Sequence, residues 1–149
     1  MNLTLAHIGS RAQFKDPIEA LVATYLARCA PVAAAASESF KSEGAFLAWL
    51  DAQKGRMPII PVLLDSRGKQ MSSAAFAAWL SARRDNGARH LVFAIGPASG
   101  WSTDARSRAQ LLLSLGPFTL AHALARLVLA EQLYRATTIL TGHPYHSGH

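Results

Sequence analysis

Residues 111–149 read LLLSLGPFTLAHALARLVLAEQLYRATTILTGHPYHSGH, and the fold turns on this stretch. An apolar, strand-like run breaks at Gly116-Pro117 and restarts as a long helix. The hydroxyl of Thr119 is placed to cap free backbone N–H groups just after the break, which predicts a helix beginning there. The helix is expected to stop at about Leu140, because Thr141-Gly142 and Pro144 follow. A short tail rich in Gly, Pro, Tyr and His comes next.

At helical spacing this segment has no clean polar face. His122 and Arg126 lie one turn apart on one side, and Glu131 and Arg135 pair on roughly the opposite side. Leu124, Leu127, Val128, Leu129 and Leu133 spread round the rest. A helix that is apolar nearly all round must be covered on more than one side. In a chain of 149 residues one cover is its own sheet, and the other is expected to be a second copy, so the patterning predicts a homodimer.

Working back from this helix, β-like and α-like segments alternate. Leu3 to Ile8 reads as a strand, and a loop from Gly9 to Lys15 leads to Asp16-Pro17, an N-cap followed by proline at the first helical position. That helix runs to about Cys29. The Ala-rich stretch 31–39 is ambiguous, with a weak strand at 32–36, and 42–53 is a second helix with Phe46, Leu47 and Leu50 on its apolar side. PIIPVLL at 58–64 is the kind of run a buried parallel strand shows. Asp65-Ser66-Arg67-Gly68 reads as a turn, 72–84 as a third helix and 91–95 as another buried strand. A loop at 96–100, a helix from Ser102 to about Gln110 and a strand at 111–115 complete the pattern. Such alternation predicts an α/β fold around a mostly parallel sheet, in one domain spanning 1–149.

Half the residues are hydrophobic and 16% are charged, which is a folding composition rather than a disordered one. No apolar run is long enough to cross a bilayer without interrupting charges, and 1–11 lacks the pattern of a signal peptide, so no membrane partner and a cytoplasmic location are expected. The one cysteine, Cys29, rules out an internal disulfide and a cysteine-based zinc site. A formal charge of +6 and a pI near 10.1 favour a polyanionic partner such as RNA.

In open α/β sheets, ligands bind outside the carboxyl ends of the strands. Three loops leave those ends here: 64–69, 96–100 and 115–118. Each contains glycine, which lets a ligand approach the backbone. If their strands are neighbours, the loops form one pocket built mainly of main-chain groups. Glycines also end strands in α/β proteins of every function.

The combination is more specific than its parts. LLDSRGKQMSS, LVFAIGPASGW, LSLGPFTLAHALARLVLAEQLYRA and HPYH, in that order, resemble the RlmH-type family of SPOUT methyltransferases. These bacterial enzymes methylate N3 of a pseudouridine in large-subunit ribosomal RNA. The resemblance is good over 60–146 and weak over the first strand. It implies a SPOUT-type α/β knot (a C-terminal trefoil knot), S-adenosyl-L-methionine as cofactor, a homodimer, and large-subunit rRNA as substrate in the assembled ribosome. Matching the family's cofactor positions are Leu64, Gly96, Leu115, Gly116, Pro117, Phe118, Thr119 and Leu120, on the three loops that sheet geometry picks out. The chain departs from the family at Pro97, where a second glycine is usual, at Ser147, where a basic residue is usual, and in the less charged stretch 31–56.

N3 of pseudouridine carries a proton, so methyl transfer to it needs in-line positioning and a base. His146 is the candidate base, because imidazole titrates near neutral pH. Tyr145 is a candidate to orient the target base or stack on it. Arg126 and Arg135 are candidates for phosphate contact or for stabilising negative charge on the uracil ring. Each has a plainer reading: His122 as a packed histidine, Glu131 with Arg135 as a structural pair, Trp49, Trp79 and Trp101 as core anchors. His143, His146 and His149 recur every third residue, but Pro144 and Gly148 break the register and no carboxylates support them, so no metal is expected. The alternatives are a non-catalytic, ribosome-associated RNA-binding protein of this fold and a SPOUT ribose methyltransferase with another target.

Overall fold

The computed structural model describes residues 1–9, 15–53, 55 and 57–147. Expectations for 10–14 in the first loop and for His149 lie outside the described residues. The strands are β1 (Asn2–Ile8), β2 (Ala34–Phe40), β3 (Ile59–Gln70), β4 (His90–Ile95) and β5 (Leu111–Ser114). The helices are α1 (Pro17–Arg28), α2 (Glu43–Ala52), α3 (Ser73–Asp85), α4 (Thr103–Arg108) and α5 (His122–Thr141). The strands pair in parallel throughout, in the order β2-β1-β4-β3-β5.

The two-residue period of a strand divides its side chains between two cores. In β4, Leu91, Phe93 and Ile95 pack under α1, α3 and α5, whereas Val92 and Ala94 pack with Phe46, Leu47 and Leu50 of α2, Ala105 of α4 and Trp101. Both faces are therefore covered, as expected for short apolar runs in a parallel sheet. Helix starts follow their caps. Asp16 accepts from the Ile18 N–H ahead of Pro17, and Ser42, Ser72 and Ser102 accept from Ala45, Ala75 and Ala105.

Three elements differ most from expectation. β2 runs Ala34–Phe40, not Val32 to Ala36: the N–H groups of Val32 and Ala33 both turn back to the Cys29 carbonyl, and the strand stays paired with β1 as far as Phe40. The predicted turn at 65–68 is a bulge inside β3. Asp65 accepts from the Arg67 N–H at 2.8 Å, Leu64 and Lys69 both face Leu113, and pairing resumes with Gln70 against Ser114. A Cβ on Gly68 would lie 2.6 Å from the Leu112 carbonyl, so glycine is what lets the bulge close on β5.

The third difference is the start of α5, at His122 rather than Thr119, with Ala121 in the N-cap position and no side-chain cap. From the edge strand β5 the chain must pass β3 to reach β4, about 10 Å at the usual strand spacing. Residues 115–121 cover that distance as neither helix nor strand, turning at Pro117 and Phe118. α5 then packs against both α1 and α3, and Leu129, Ala130, Leu133 and Ala136 are fully buried. Gly142, in the left-handed conformation at φ 72°, ends it. Leu124 and Val128 stay exposed on its outer side, as does Phe118 just ahead of it at 87% exposure.

Arg126 ties α5 to the rest. Its buried guanidinium makes a two-pronged bond to Glu19 of α1 and a third to the Ser37 hydroxyl of β2 at 3.2 Å. Among the described residues no helix is long and apolar enough to cross a membrane.

Truncating Arg126 to alanine leaves Glu19 without its partner and is expected to cost about 3 kcal/mol in urea denaturation. The double change Arg126→Met, Glu19→Leu removes both charges and should recover most of that loss. Cys29 is fully buried, and burial pushes its thiol up to about 11 from 9.0. Its contribution to stability is complete below pH 9, the unfolded value, and falls as pH rises towards 11. Native protein at pH 8 should resist alkylation by iodoacetamide, while unfolded protein reacts.

Candidate functional site

In this sheet β1 sends its chain outward to β2, while β4 sends its chain the other way, across β3 to β5. The crevice between the carboxyl ends of β1 and β4 is therefore the topological switch point, where an open sheet leaves room for a ligand. A cavity of about 420 Å³ lies there, lined by His7 and Gly9, by Asp16 and Glu19 at the start of α1, and by His122 and Arg126 of α5. A second cavity of about 310 Å³ sits between α3, α5 and the end of β5, lined by Ser72, Ser114, Gly116, Val128 and Gln132 among others. Gly116 lines one cavity and His122 the other, so the segment between them passes from one to the other.

Of the eight expected cofactor residues, Gly96 follows β4 and 115–120 follow β5, whereas Leu64 lies within β3 just before its bulge, so 64–69 is not the loop expected; the three strands are neighbours. Trp101 joins two of these segments: its indole N–H donates to the Leu64 carbonyl at 3.0 Å, and its ring lies against Gly96. A Cβ on Gly96 would come within 2.7 Å of that ring, so glycine here answers to Trp101, not to the approach of a ligand. The Gly96 carbonyl also pairs with Nε2 of His122 at 3.3 Å. Pro97 opens a tight turn in which its carbonyl accepts from the Gly100 N–H at 2.8 Å. Gly116, at φ 119°, is held through its N–H and its carbonyl by the Ser114 hydroxyl. Phe118, Thr119 and Leu120 make no internal hydrogen bond among the described residues, leaving main-chain donors and acceptors free beside an exposed aromatic ring. Free main-chain groups beside apolar cover suit an adenine ring and ribose.

Tyr145, His146 and Arg135 come together with Glu131. Arg135 donates to Glu131 at 2.6 and 3.0 Å, and its guanidinium lies 4.8 Å from the Tyr145 ring. Tyr145 donates its hydroxyl to the same carboxylate oxygen at 2.9 Å. Burial, then the bond to Glu131, raises the pKa of the phenol; the bond to Glu131 likewise raises that of Arg135. Nη1 of Arg135 meets Nδ1 of His146 at 3.1 Å. Arginine only donates, so Nδ1 is the accepting nitrogen of a neutral ring whose proton sits on Nε2. The basic lone pair of His146 thus faces Arg135. His143 accepts from the Tyr145 N–H at 3.1 Å and so shapes the tail.

Arg126 does not join this cluster. It lies nine residues before Arg135, about 13 Å along the helix axis, and lines the switch-point cavity against Glu19. Two residues there escaped the sequence reading. His7 is 5% exposed, with its ring centroid 5.7 Å from that of His122, and Glu19 neutralises Arg126. Position at the carboxyl end of β1 was the available signal for His7; nothing local marks Glu19.

Residues 1–146 match a family model described as "Predicted SPOUT methyltransferase". Over 149 residues, all of both chains, the sequence is 44% identical to "Ribosomal RNA large subunit methyltransferase H" of Koribacter versatilis (strain Ellin345). A protein of the same name from Brucella ovis is 55% identical over 85 residues, which span 57% of this chain and 50% of that one. Among solved structures, the SpoU methyltransferase AviRb from Streptomyces viridochromogenes superposes with a TM-score of 0.52 at 16% identity, over 95% of this chain and 61% of AviRb. That likeness speaks for the fold. With the family model and the full-length relative, it agrees with the parallel sheet, and the chain belongs to the SPOUT methyltransferase family.

Proposed function

We propose that this protein transfers a methyl group from S-adenosyl-L-methionine to N3 of a pseudouridine in large-subunit ribosomal RNA. The observation that carries the reading is full-length identity of 44% to a protein named for large-subunit rRNA methylation. The geometry supports it through the loops after β4 and β5 and the bulge of β3, on adjacent strands, with main-chain groups at 118–120 that bond to no described residue. A single domain, trefoil-knotted threading of the C-terminal third, action on the assembled ribosome and a cytoplasmic location belong to the same proposal.

Leu64, Gly96, Leu115, Gly116, Pro117, Phe118, Thr119 and Leu120 hold the cofactor, with Phe118 covering the adenine. Bound there, S-adenosyl-L-methionine supplies an activated methyl, so the protein's task is to position the uracil ring and remove the N3 proton. His146 is the proposed base. It must first leave Arg135, which frees the Nδ1 lone pair to take the proton and frees Arg135 to face the negative ring. Tyr145 orients or stacks on the base. Arg126 lines the switch-point cavity with its charge answered by Glu19, so it contacts a phosphate or the uracil ring only when that pair opens.

The two halves of this machinery do not meet within one chain. From Leu120 to Arg135 is about 20 Å along α5. Leu124, Val128, Glu131 and Arg135 share one helix face, and its first half is exposed and apolar. An isologous contact between antiparallel copies of α5 along that face sets the Arg135–Tyr145–His146 cluster of one copy beside the 118–124 region of the other. The homodimer is thus part of the catalytic proposal.

Calorimetry is expected to show binding of S-adenosyl-L-methionine. No binding at millimolar cofactor would reject the enzyme in favour of a non-catalytic RNA-binding protein. Mass spectrometry of rRNA from cells lacking the gene should show one pseudouridine without its N3 methyl; an unchanged pseudouridine with a lost ribose methyl would favour the ribose methyltransferase. His146→Ala should lower kcat by about 100-fold or more with cofactor affinity little changed. Unaltered turnover removes His146 as the base.

A further inference from the structure

At the amino ends of the strands, opposite the site just described, lies a cavity of about 540 Å³. Arg83, at the end of α3, and Arg89, just before β4, line it together with Met57, Pro58, Ile60 and Gln110. No Asp or Glu lines it among the described residues. Arg106, Arg108, Arg126 and Arg135 each have a carboxylate within 3.4 Å, whereas neither Arg83 nor Arg89 forms an ion pair with a described residue. The Nε–H of Arg83 is buried without a hydrogen-bond partner, and its guanidinium is held 5.3 Å from the centre of the Trp79 ring. Two uncompensated guanidinium groups call for an anion, and their forked donors match phosphate oxygens. Beside them, Pro58, Ile60 and the half-exposed Met57 offer an apolar floor. Proteins hold unstacked single-stranded nucleotides by a basic groove beside a platform on which the base rests, commonly aromatic and here aliphatic.

We propose that this cavity binds one unstacked nucleotide of the substrate RNA, its phosphate between Arg83 and Arg89 and its base on the Met57–Ile60 floor. The six residues of β4 separate this end of the sheet from the other by about 20 Å, so the bound nucleotide is not the one that receives the methyl. It anchors a distant part of the RNA and sets the register in which the target reaches the site. The assignment rests on the rRNA reading above.

Binding to purified assembled ribosomes, followed across a salt series, tests it with wild-type protein, Arg89→Gln, and Arg83→Gln with Arg89→Gln. The double variant should bind about tenfold more weakly, the worth of one charge-assisted hydrogen bond. The slope of log affinity against log salt should fall by about one per arginine, with cofactor affinity and thermal midpoint unchanged. If Arg83→Gln unfolds the chain, Arg89→Gln alone, at an exposed position, must still lower the slope by about one. Unchanged affinity and slope beside an active wild type overturn the site and leave the methyltransferase standing. Wild type that neither binds nor methylates assembled ribosomes overturns both. Uridine monophosphate bound as tightly as the ribosome, and lost in the variants, makes this a free-nucleotide cavity and also overturns the RNA assignment.

Discussion

The return of the chain from the edge of the sheet to its middle is the constraint on which the rest depends. β5 pairs only with β3, yet α5 packs between α1 and α3 and reaches β4 through the bond from His122 to Gly96. Residues 115–121 span that gap as neither helix nor strand, and such a segment cannot satisfy its own main chain. Among the described residues nothing bonds to Phe118, Thr119 and Leu120, at the carboxyl ends of the strands. The path that closes the fold is thereby the path that leaves main-chain groups for a ligand. Arg126 fixes where the path ends, because its bonds to Glu19 and Ser37 join α5 to α1 and β2 at once.

Trp101 does for the loops what Arg126 does for the helices. It bonds β3 just before its bulge, fills the space beside Gly96 in the loop after β4, and packs on Phe46 from α2 at a centroid separation of 5.5 Å. This explains why the chain tolerates proline at position 97. The turn there uses the carbonyl of Pro97 and the N–H of Gly100, neither of which the proline ring removes. The glycine that the arrangement cannot spare is Gly96, and it is present.

What the sequence made legible follows from local physics. Caps at Asp16, Ser42, Ser72 and Ser102, the apolar runs of β3 and β4, and the stop at Gly142 are short-range signals, and the structure repeats them. The bulge at 65–68 was half legible. Asp65 does make the turn its sequence suggests, but only β5, forty-odd residues later, tells the strand to resume. The false start of α5 at Thr119 has the same origin, since a capping residue cannot know how far away the next contact lies. Glu19 against Arg126 and Trp101 against Leu64 are partners across 107 and 37 residues, which no local pattern announces. Of the expected loops, those after β4 and β5 were readable from strand ends and that at 64–69 was not, being inside β3, whereas the meeting of Arg135, Glu131, Tyr145 and His146 depends on how the tail folds back.

That fold-back bears on the departure at Ser147. Where the family carries an additional basic residue, the proposed reaction would draw its positive charge from Arg135, already held by Glu131 through two bonds. In the proposed reaction the uracil ring is neutral on arrival and negative once N3 loses its proton. A neutral ring has little claim on a guanidinium bonded to a carboxylate, and a negative ring competes for it directly. His146, whose lone pair rests against the same guanidinium, would be uncovered as Arg135 turns away. In the proposed reaction base and counter-charge are therefore released by one movement, and the attraction grows only as the transition state is approached. Binding that strengthens in this order accelerates the reaction instead of merely holding the substrate.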